Sequence, residues 1–528
     1  MSARERRRKR NRQELGGISR RQLIAAGGLT AGATLAMSGV AQAAPMTFTV
    51  GSNADTTGGD CATPTNTDCT LRQAIIDANN NAGADTIVFA ASLSGNTITL
   101  TNDPQTIDEA VTITGPGASD LTVDGDNAYR IFYIDPATAD DPVSISGLTL
   151  EGGYTTGNGG AIYNNDADLT ISDVVVSNST AYGYVQGGGI YSISGDVTIN
   201  TSAITGNYAG TPTGSGRGGG IYTSSGTITV SDSTVSGNTA ANYSSDYSGA
   251  YGGGINSDNG NVTVERSTIN DNHARDGGGI YLNDGDLTVA NSTITGNNAV
   301  SDDGGGVYTG NGSMTVTSST VTDNYAGTYG GGLRGTGPTN TVRNSIVSGN
   351  TASGDPDSAD LAYDTFDVSF SLIGVPADHV NPTVPGSNLL SVDPELGALQ
   401  DNGGAYSTYT MEPAATSPVI DCGSDPANTT DQRGDGFPRV VDQPNRTGST
   451  ATGANQADMG AVEVSENVTI TGACTNNAPP SPPSGGGGTP PPVQPTPTHK
   501  KKKCKKKKHK RSAESAKKKK CKKKKKKR

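Results

Sequence analysis

Between residues 159 and 333 one short phrase returns seven times: Gly-Gly-Ala-Ile-Tyr from Gly159, then Gly-Gly-Gly followed by Ile190, Ile221, Ile255, Ile280, Val307 and Leu333. A second phrase, Ser-Thr-Ile/Val-x-x-Asn or a close variant, follows each. The interval from the apolar residue of the first phrase to the Asn of the second is 17 in six copies, ending at Asn207, Asn238, Asn272, Asn297, Asn324 and Asn350. Only the first copy deviates, with Ser179 at that place and Asn178 beside it. Successive repeats are 28, 31, 34, 25, 27 and 26 residues apart, so all the length variation falls between the Asn and the next Gly run. A fixed body with one elastic segment is the pattern of a stacked coil whose loops bulge from one edge.

Within the repeat from Gly277 to Asn297, apolar and polar residues alternate (Leu287, Val289; Ile294) and β-branched residues are frequent, which predicts three strands of three to five residues and no helix. Gly, Asn and Asp between them supply sharp corners. Each strand then points an apolar residue inward, and each turn rests on the last. In such a coil the six Asn residues stand one above another at the strand spacing, where their amides can form a hydrogen-bonded ladder, so a structural role is expected for them. Disorder is the competing reading, because Gly and Pro make up 73 and 27 of 528 residues and hydrophobic content is 32%. A kept interval of 17 argues against it. The expected fold is all-β: a right-handed parallel β-helix of the pectin-lyase-like kind, with an N-terminal cap and a disordered basic C-terminal tail.

These phrases resemble the repeats of the polymorphic outer-membrane proteins, whose Gly-Gly-Ala-Ile and Phe-x-x-Asn motifs build a β-helix; Ile or Val here takes the place of that Phe. The likeness spans about 200 residues and implies fold rather than activity. Further upstream, Cys69-Thr70-Leu71-Arg72-Gln73-Ala74 resembles the Cys-Ser-Leu-Arg-Glu-Ala (CSLREA) signature found ahead of bacterial surface β-helices. Leu71, Ile75 and Ala78 fall on one face of a short helix there, suited to covering the open end of a coil. Near the other end, Ser417 to Asp421, Asp431-Gln432-Arg433-Gly434, Arg439 and Asp458 to Glu463 resemble the choice-of-anchor Q region. Asp431, Arg433, Arg439, Asp458 and Glu463 are either an ion-pair network closing the C-terminal end or a site.

Residues 1–43 have the layout of an export signal, with Ser19-Arg20-Arg21-Gln22-Leu23-Ile24 similar to the twin-arginine type and Ala41-Gln42-Ala43 at its end. No other segment is apolar enough to cross a bilayer. The chain divides into this signal, a cap at 44–100, a coil at 101–400 with repeats clearest at 159–350, an anchor-Q-like region at 401–475, a Pro/Gly-rich linker at 476–499 and a lysine-rich tail at 500–528. Six cysteines suit an oxidising compartment, and Cys61 with Cys69 and Cys422 with Cys474 are expected as disulfides.

The net charge of −11 hides a division. The tail holds 21 basic residues and the signal nine, leaving ten arginines and no lysine against 48 acidic residues between them. A polycation on a spacer beside an anionic body implies an anionic envelope polymer as partner, or else a solubilising role; nucleic acid would be bound only non-specifically. No catalytic motif stands out. A β-helix lyase needs a base beside a carboxylate-bound cation, and a hydrolase needs paired acids. His273, Arg275, Asp271 and Asp276 form the best cluster in the sequence, without a recognisable motif, and neither a cofactor nor a metal is implied.

Tyrosine is more informative. Tyr163, Tyr191, Tyr222, Tyr281 and Tyr308 follow the inward apolar residue and so face outward as a stripe, interrupted by Asn256 and Arg334. Others lie in the elastic segments, where mixture with Ser, Gly and Asn suits a binding edge; Tyr208, Tyr243, Tyr247 and Tyr251 are the ligand-binding candidates, with ordinary loop packing as the alternative. The resulting reading is a cell-surface or secreted, adhesin-like protein that binds a glycan or a surface protein. A polysaccharide lyase or hydrolase on the same fold and a structural surface-layer component are its rivals.

Overall fold

The computed structural model describes residues 44–464 except 103, 137–140, 212–213, 242–248, 405–407 and 442–455, together with Cys474. The expected signal, linker and tail lie outside the described residues, as do Tyr243 and Tyr247.

Each turn of the coil holds four short strands rather than three. In the turn that starts at Gly277 these are Ile280–Asp284, Leu287–Ala290, Thr293–Thr295 and Asn298–Ala299. The fourth begins just past the Asn, in the segment read as elastic, and two residues are too few to show alternation. All four pair in parallel with the next turn, in a register that keeps columns intact: Ile280 on Val307, Leu287 on Met314, Ile294 on Val321 and Ala299 on Ala326. Stacked, they form a ten-stranded sheet, a 23-stranded sheet containing two strands per turn, and an eight-stranded sheet. The molecule is therefore a parallel β-helix of ten turns, from Gln105–Ile107 to Leu361–Tyr363 along the ten-stranded sheet. Three of these turns, at Gln105, Phe132 and Leu361, lack the Gly phrase.

Corners explain the glycines. Three places in each turn adopt left-handed backbone: the first Gly of the triplet (Gly218 at φ 60°, Gly277 at 59°), the residue between the paired strands of the long sheet (Asp232 at 52°, Asn291 at 45°), and the residue before the ladder Asn (Gly296 at 67°, Asp323 at 56°). Left-handed backbone crowds Cβ against the following carbonyl, and Gly, Asn and Asp tolerate it best; at the second place Thr201, Arg266, Ser318 and Phe370 adopt it as well. The apolar columns between the corners are closed to water, with Ile190, Ile221, Ile255, Ile280, Val307 and Leu333 each 0% exposed.

The boundary at residue 100 is misplaced by the sequence reading. Thr47–Val50, Asp85–Phe89 and Asn96–Thr99 already belong to the long sheet, Ile87 pairing with Ile113. Inserted among them is the helix Leu71–Asn80, capped by the Thr70 side chain, which accepts from the Gln73 amide; Leu71, Ala74, Ile75 and Ala78 are its buried face. Arg72 ties it down by donating through Nε and Nη2 to the two carboxylate oxygens of Asp55 (2.8 and 3.0 Å), and Cys61 is bonded to Cys69 just ahead of it.

A second correction concerns residues 391–464. They do not merely close the C-terminal end but run back along the outside of the long sheet. Thr268 Oγ1 donates to the Tyr409 carbonyl (2.7 Å), Thr293 Oγ1 to Gln432 Oε1 (2.6 Å), and the Ala461 amide donates to Thr320 Oγ1 (3.0 Å). Outward-facing Ile346 and Leu372 join Val419, Ile420, Met459 and the Cys422–Cys474 disulfide in a separate apolar cluster. The reason lies in the coil: its outward column at these turns is Thr, Thr, Thr, Ile and Leu, short or apolar side chains that a second layer can cover. Asp431, Arg433, Arg439, Asp458 and Glu463 are at most 5% exposed inside this layer. Arg433 Nη2 donates to Asp431 Oδ2 (2.6 Å), and Arg439 Nη2 donates to the carbonyls of Asp458 (2.7 Å) and Gly460 (2.6 Å), so the set is the interior framework of the strap.

Candidate functional site

Two side-chain ladders run along the repeating turns of the coil. In the first, Nδ2 of Asn207, Asn238, Asn272, Asn297 and Asn324 donates to Oδ1 of the following Asn at 2.9 to 3.0 Å. The same oxygen also accepts the backbone amide of the preceding Asn, as when the Asn272 amide donates to Asn297 Oδ1 (3.1 Å). The corner has broken the main-chain ladder here, and the side chain supplies the acceptor that a buried amide needs. Asn350 hands both donors to Asp360 Oδ1, where the ladder ends. Burial pushes the Asp360 carboxyl up to about 6.

The second ladder escaped the sequence reading. Ser202, Ser233, Ser267, Ser292, Ser319 and Ser345 each accept through Oγ the backbone amide of the equivalent residue one turn earlier, at 3.0 to 3.2 Å. It serves the other corner of the long sheet. The signal was present, since each Ser stands five residues before the ladder Asn.

Packing explains why the Gly run and the Asn travel together. A Cβ on Gly279, the third Gly of its triplet, would lie 3.0 Å from Asn297 Cγ and 2.6 Å from the Gly306 carbonyl oxygen. Where the turn carries Ala161 at that place, the shorter Ser179 replaces Asn. One turn earlier Ile131 stands there, and the residue in the Asn column is Gly153. Side-chain bulk is exchanged between the two positions across three turns.

On the ten-stranded sheet the tyrosine stripe is longer than the sequence showed. Tyr133 precedes Tyr163, Tyr191 and Tyr222, with ring centroids 4.8, 5.1 and 5.3 Å apart. At the Asn256 interruption Tyr251 swings in from the corner and stacks on Tyr281 (4.5 Å), which stacks on Tyr308 (4.5 Å). The Arg334 interruption is likewise filled, its guanidinium carbon 3.9 Å from the centroid of Tyr308 and 4.1 Å from that of Tyr363. Rings this close occupy one another's faces; Tyr191, Tyr222 and Tyr281 are buried, and the Tyr222 hydroxyl donates to Asp258 Oδ2 (2.6 Å). Burial pushes the Tyr163 phenol up to about 12 and raises Tyr222 and Tyr281 as well, so these hydroxyls remain protonated.

Beside the stack lies an acidic column. The Asp303 amide donates to Asp276 Oδ1 (3.2 Å), and the Tyr363 hydroxyl donates to Asp303 Oδ2 (3.0 Å). Burial, with Asp302 and Asp303 nearby, pushes Asp276 up to about 7. Arg275 pairs with Asp302, while His273 stands exposed on the eight-stranded sheet between Thr239 and Asn298, so the four-residue cluster suggested by sequence is divided. The ligand candidates are divided too. Tyr208 sits in the eight-stranded sheet between Thr180 and Thr239, and Tyr251 belongs to the ring stack over the ten-stranded one.

A family model for a right-handed β-helix region matches residues 130–347. The handedness and coil type expected from the repeats are thus met. No curated protein matches the sequence. Among solved structures, that of the pectate lyase Pel9A is similar at a TM-score of 0.43 and 13% identity, over 79% of this chain and 96% of that one.

Proposed function

We propose that this chain is an exported β-helix protein that works by binding, held to an anionic envelope component by its lysine-rich tail. The observation that carries this reading is the registered column of tyrosines on the eight-stranded face of the coil, Tyr154, Tyr208 and Tyr325, together with Tyr182 and Tyr184, which are 45% and 78% exposed. Tyrosine gives large amphipathic contact at low entropic cost, and a coil fixes its spacing. Two disulfides support an oxidising compartment, and among the described residues no helix is long and apolar enough to cross a membrane. Adhesion of the purified protein to intact cells and to glycan-coated surfaces is the test; retention on neither would overturn the reading.

A glycan hydrolase on the same fold is the second reading, favoured by the adjacent Asp276 and Asp303, one of them raised toward neutrality as a general acid requires. Their burial, 6% and 5% exposed, weighs against it. Release of reducing ends from a polysaccharide, abolished by Asp276→Asn, would establish it.

A further inference from the structure

The eight-stranded sheet has a different outer pattern from the ring stack. Its inward positions are alanines, Ala181, Ala209, Ala240, Ala274, Ala299 and Ala326, all buried. Its outward column alternates turn by turn: Tyr154, Tyr208, His273 and Tyr325 fall on every second turn, with Thr180, Thr239 and Asn298 between them. Strands lie about 4.8 Å apart, so the rings recur at roughly 10 Å. On the ten-stranded sheet, rings on consecutive turns close on one another at 4.5 to 5.3 Å; here the intervening small polar residue keeps them apart. Among the described residues Tyr154 and Tyr325 stack on no other ring, and both are half-buried. Ser353 Oγ donates to the Tyr325 hydroxyl (2.9 Å) and fixes that end of the column. Beside the small residues the surface turns apolar again, with Tyr182 45% and Val300 57% exposed.

We infer that this column binds an extended, neutral β-1,4-linked glycan lying along the coil axis, an assignment that rests on the binding reading above and names its ligand. A pyranose presents an apolar face of C–H bonds that packs on an aromatic ring, and its hydroxyls need donors and acceptors beside that ring. In an extended β-1,4 chain the same face recurs with every disaccharide, a period that two turns of this coil match. Thr180, Thr239 and Asn298 meet the hydroxyls of the intervening sugar. Charge selects against acidic glycans: the body carries 48 acidic residues and ten arginines, and an anionic chain laid along it would be repelled.

Calorimetric titration of the full-length exported protein with cellohexaose, xylohexaose and chitohexaose, and with polygalacturonate, tests the assignment. Binding to at least one neutral hexaose is expected, weakened tenfold or more in the triple variant Tyr154→Ala, His273→Ala, Tyr325→Ala. Thr239→Tyr removes no ring but fills the gap between Tyr208 and His273, and a similar loss is expected from it. Unchanged melting temperatures show that both variants remain folded, since every altered position faces outward. Failure of all three neutral hexaoses, tighter binding of polygalacturonate, or unaltered affinity in the triple variant would each overturn the inference. If the glycans fail while the protein still adheres to cells, the glycan assignment falls and the binding reading stands; failure of both removes the two together.

Discussion

Replacing Asn297 by Ala removes the middle rung of the amide ladder, and its cost can be counted bond by bond. The Asn272 amide loses its acceptor at 3.1 Å and is left buried. Asn272 Nδ2 loses one of two acceptors but keeps the Val235 carbonyl (2.9 Å), and Asn324 Oδ1 loses one of two donors but keeps the Asn297 amide (3.0 Å). An orphaned buried amide costs about 1–3 kcal/mol and each of the two weakened partners about 0.5–1.5 kcal/mol, so a total of about 2–6 kcal/mol is expected. Ser179→Ala at the irregular turn strands one amide, that of Gly153 (3.1 Å), and should cost about 1–3 kcal/mol. Urea denaturation compares the two variants. Because repeat arrays can unfold in pieces, hydrogen exchange at the Asn272 amide supplies the local readout. An Asn272 amide as protected as in the parent, with a midpoint shift no larger than that of Ser179→Ala, would refute the reasoning.

Gly279→Ala should destabilise the coil by about 2–4 kcal/mol through its contacts with Asn297 and Gly306, and adding Asn297→Ser should cost less than the two changes summed; strict additivity in a double-mutant cycle would deny the exchange of bulk seen at Ala161 and Ser179. The Asp360 carboxyl, ordinarily near 3.8, titrates at about 6 in the fold, so its stabilising contribution is complete below 3.8 and lost as pH rises through 6, a gap of about 3 kcal/mol. Asp276, raised by burial to about 7, acts in the same direction. The melting temperature should accordingly fall between pH 4.5 and pH 7, less steeply in Asp360→Asn, and an identical slope in that variant would contradict the assignment. Deleting residues 500–528 should release the protein from cells, as should 1 M salt, where screening is felt within about 3 Å; cell association surviving both would exclude electrostatic anchoring.

What the sequence revealed was whatever the coil repeats with fixed chemistry. The Gly triplet and the Asn at 17 are read at once because left-handed corners and close turn-to-turn contact admit few residues there. The turns at Phe132 and Leu361 stayed hidden because the same geometry is met differently: Ile131 takes the room that Gly153 leaves, and Asp360 ends the ladder. Tyr251 could not be placed in the ring stack, since it reaches it from a segment of variable length, and spacing along the chain says nothing about which gap a corner residue fills. The alternation of Tyr208, Thr239, His273, Asn298 and Tyr325 was legible in principle, because each directly follows a ladder Asn, whereas Tyr154 and Thr180 follow Gly153 and Ser179 and join the column only through strand pairing. Two charged side chains that meet distant backbone groups, Arg433 donating to the Glu463 carbonyl and Asp431 accepting from the Glu463 amide, likewise depend on the fold that joins them.

The strap along the long sheet makes the coil mechanically unequal. Its attachments fall on Thr268, Thr293, Thr320 and Ile346, four consecutive turns that cannot separate without tearing the Gln432 and Asn344 contacts at the same moment. Among the described residues no hydrogen bond joins the strap to the turns from Phe132 to Thr205. Under a pull along the axis, the unstrapped half should therefore extend first and in small steps, turn by turn, while the strapped half resists as a single block until the layer peels away. A protein tethered at its C-terminal side would in this way present its compliant end to whatever it grips.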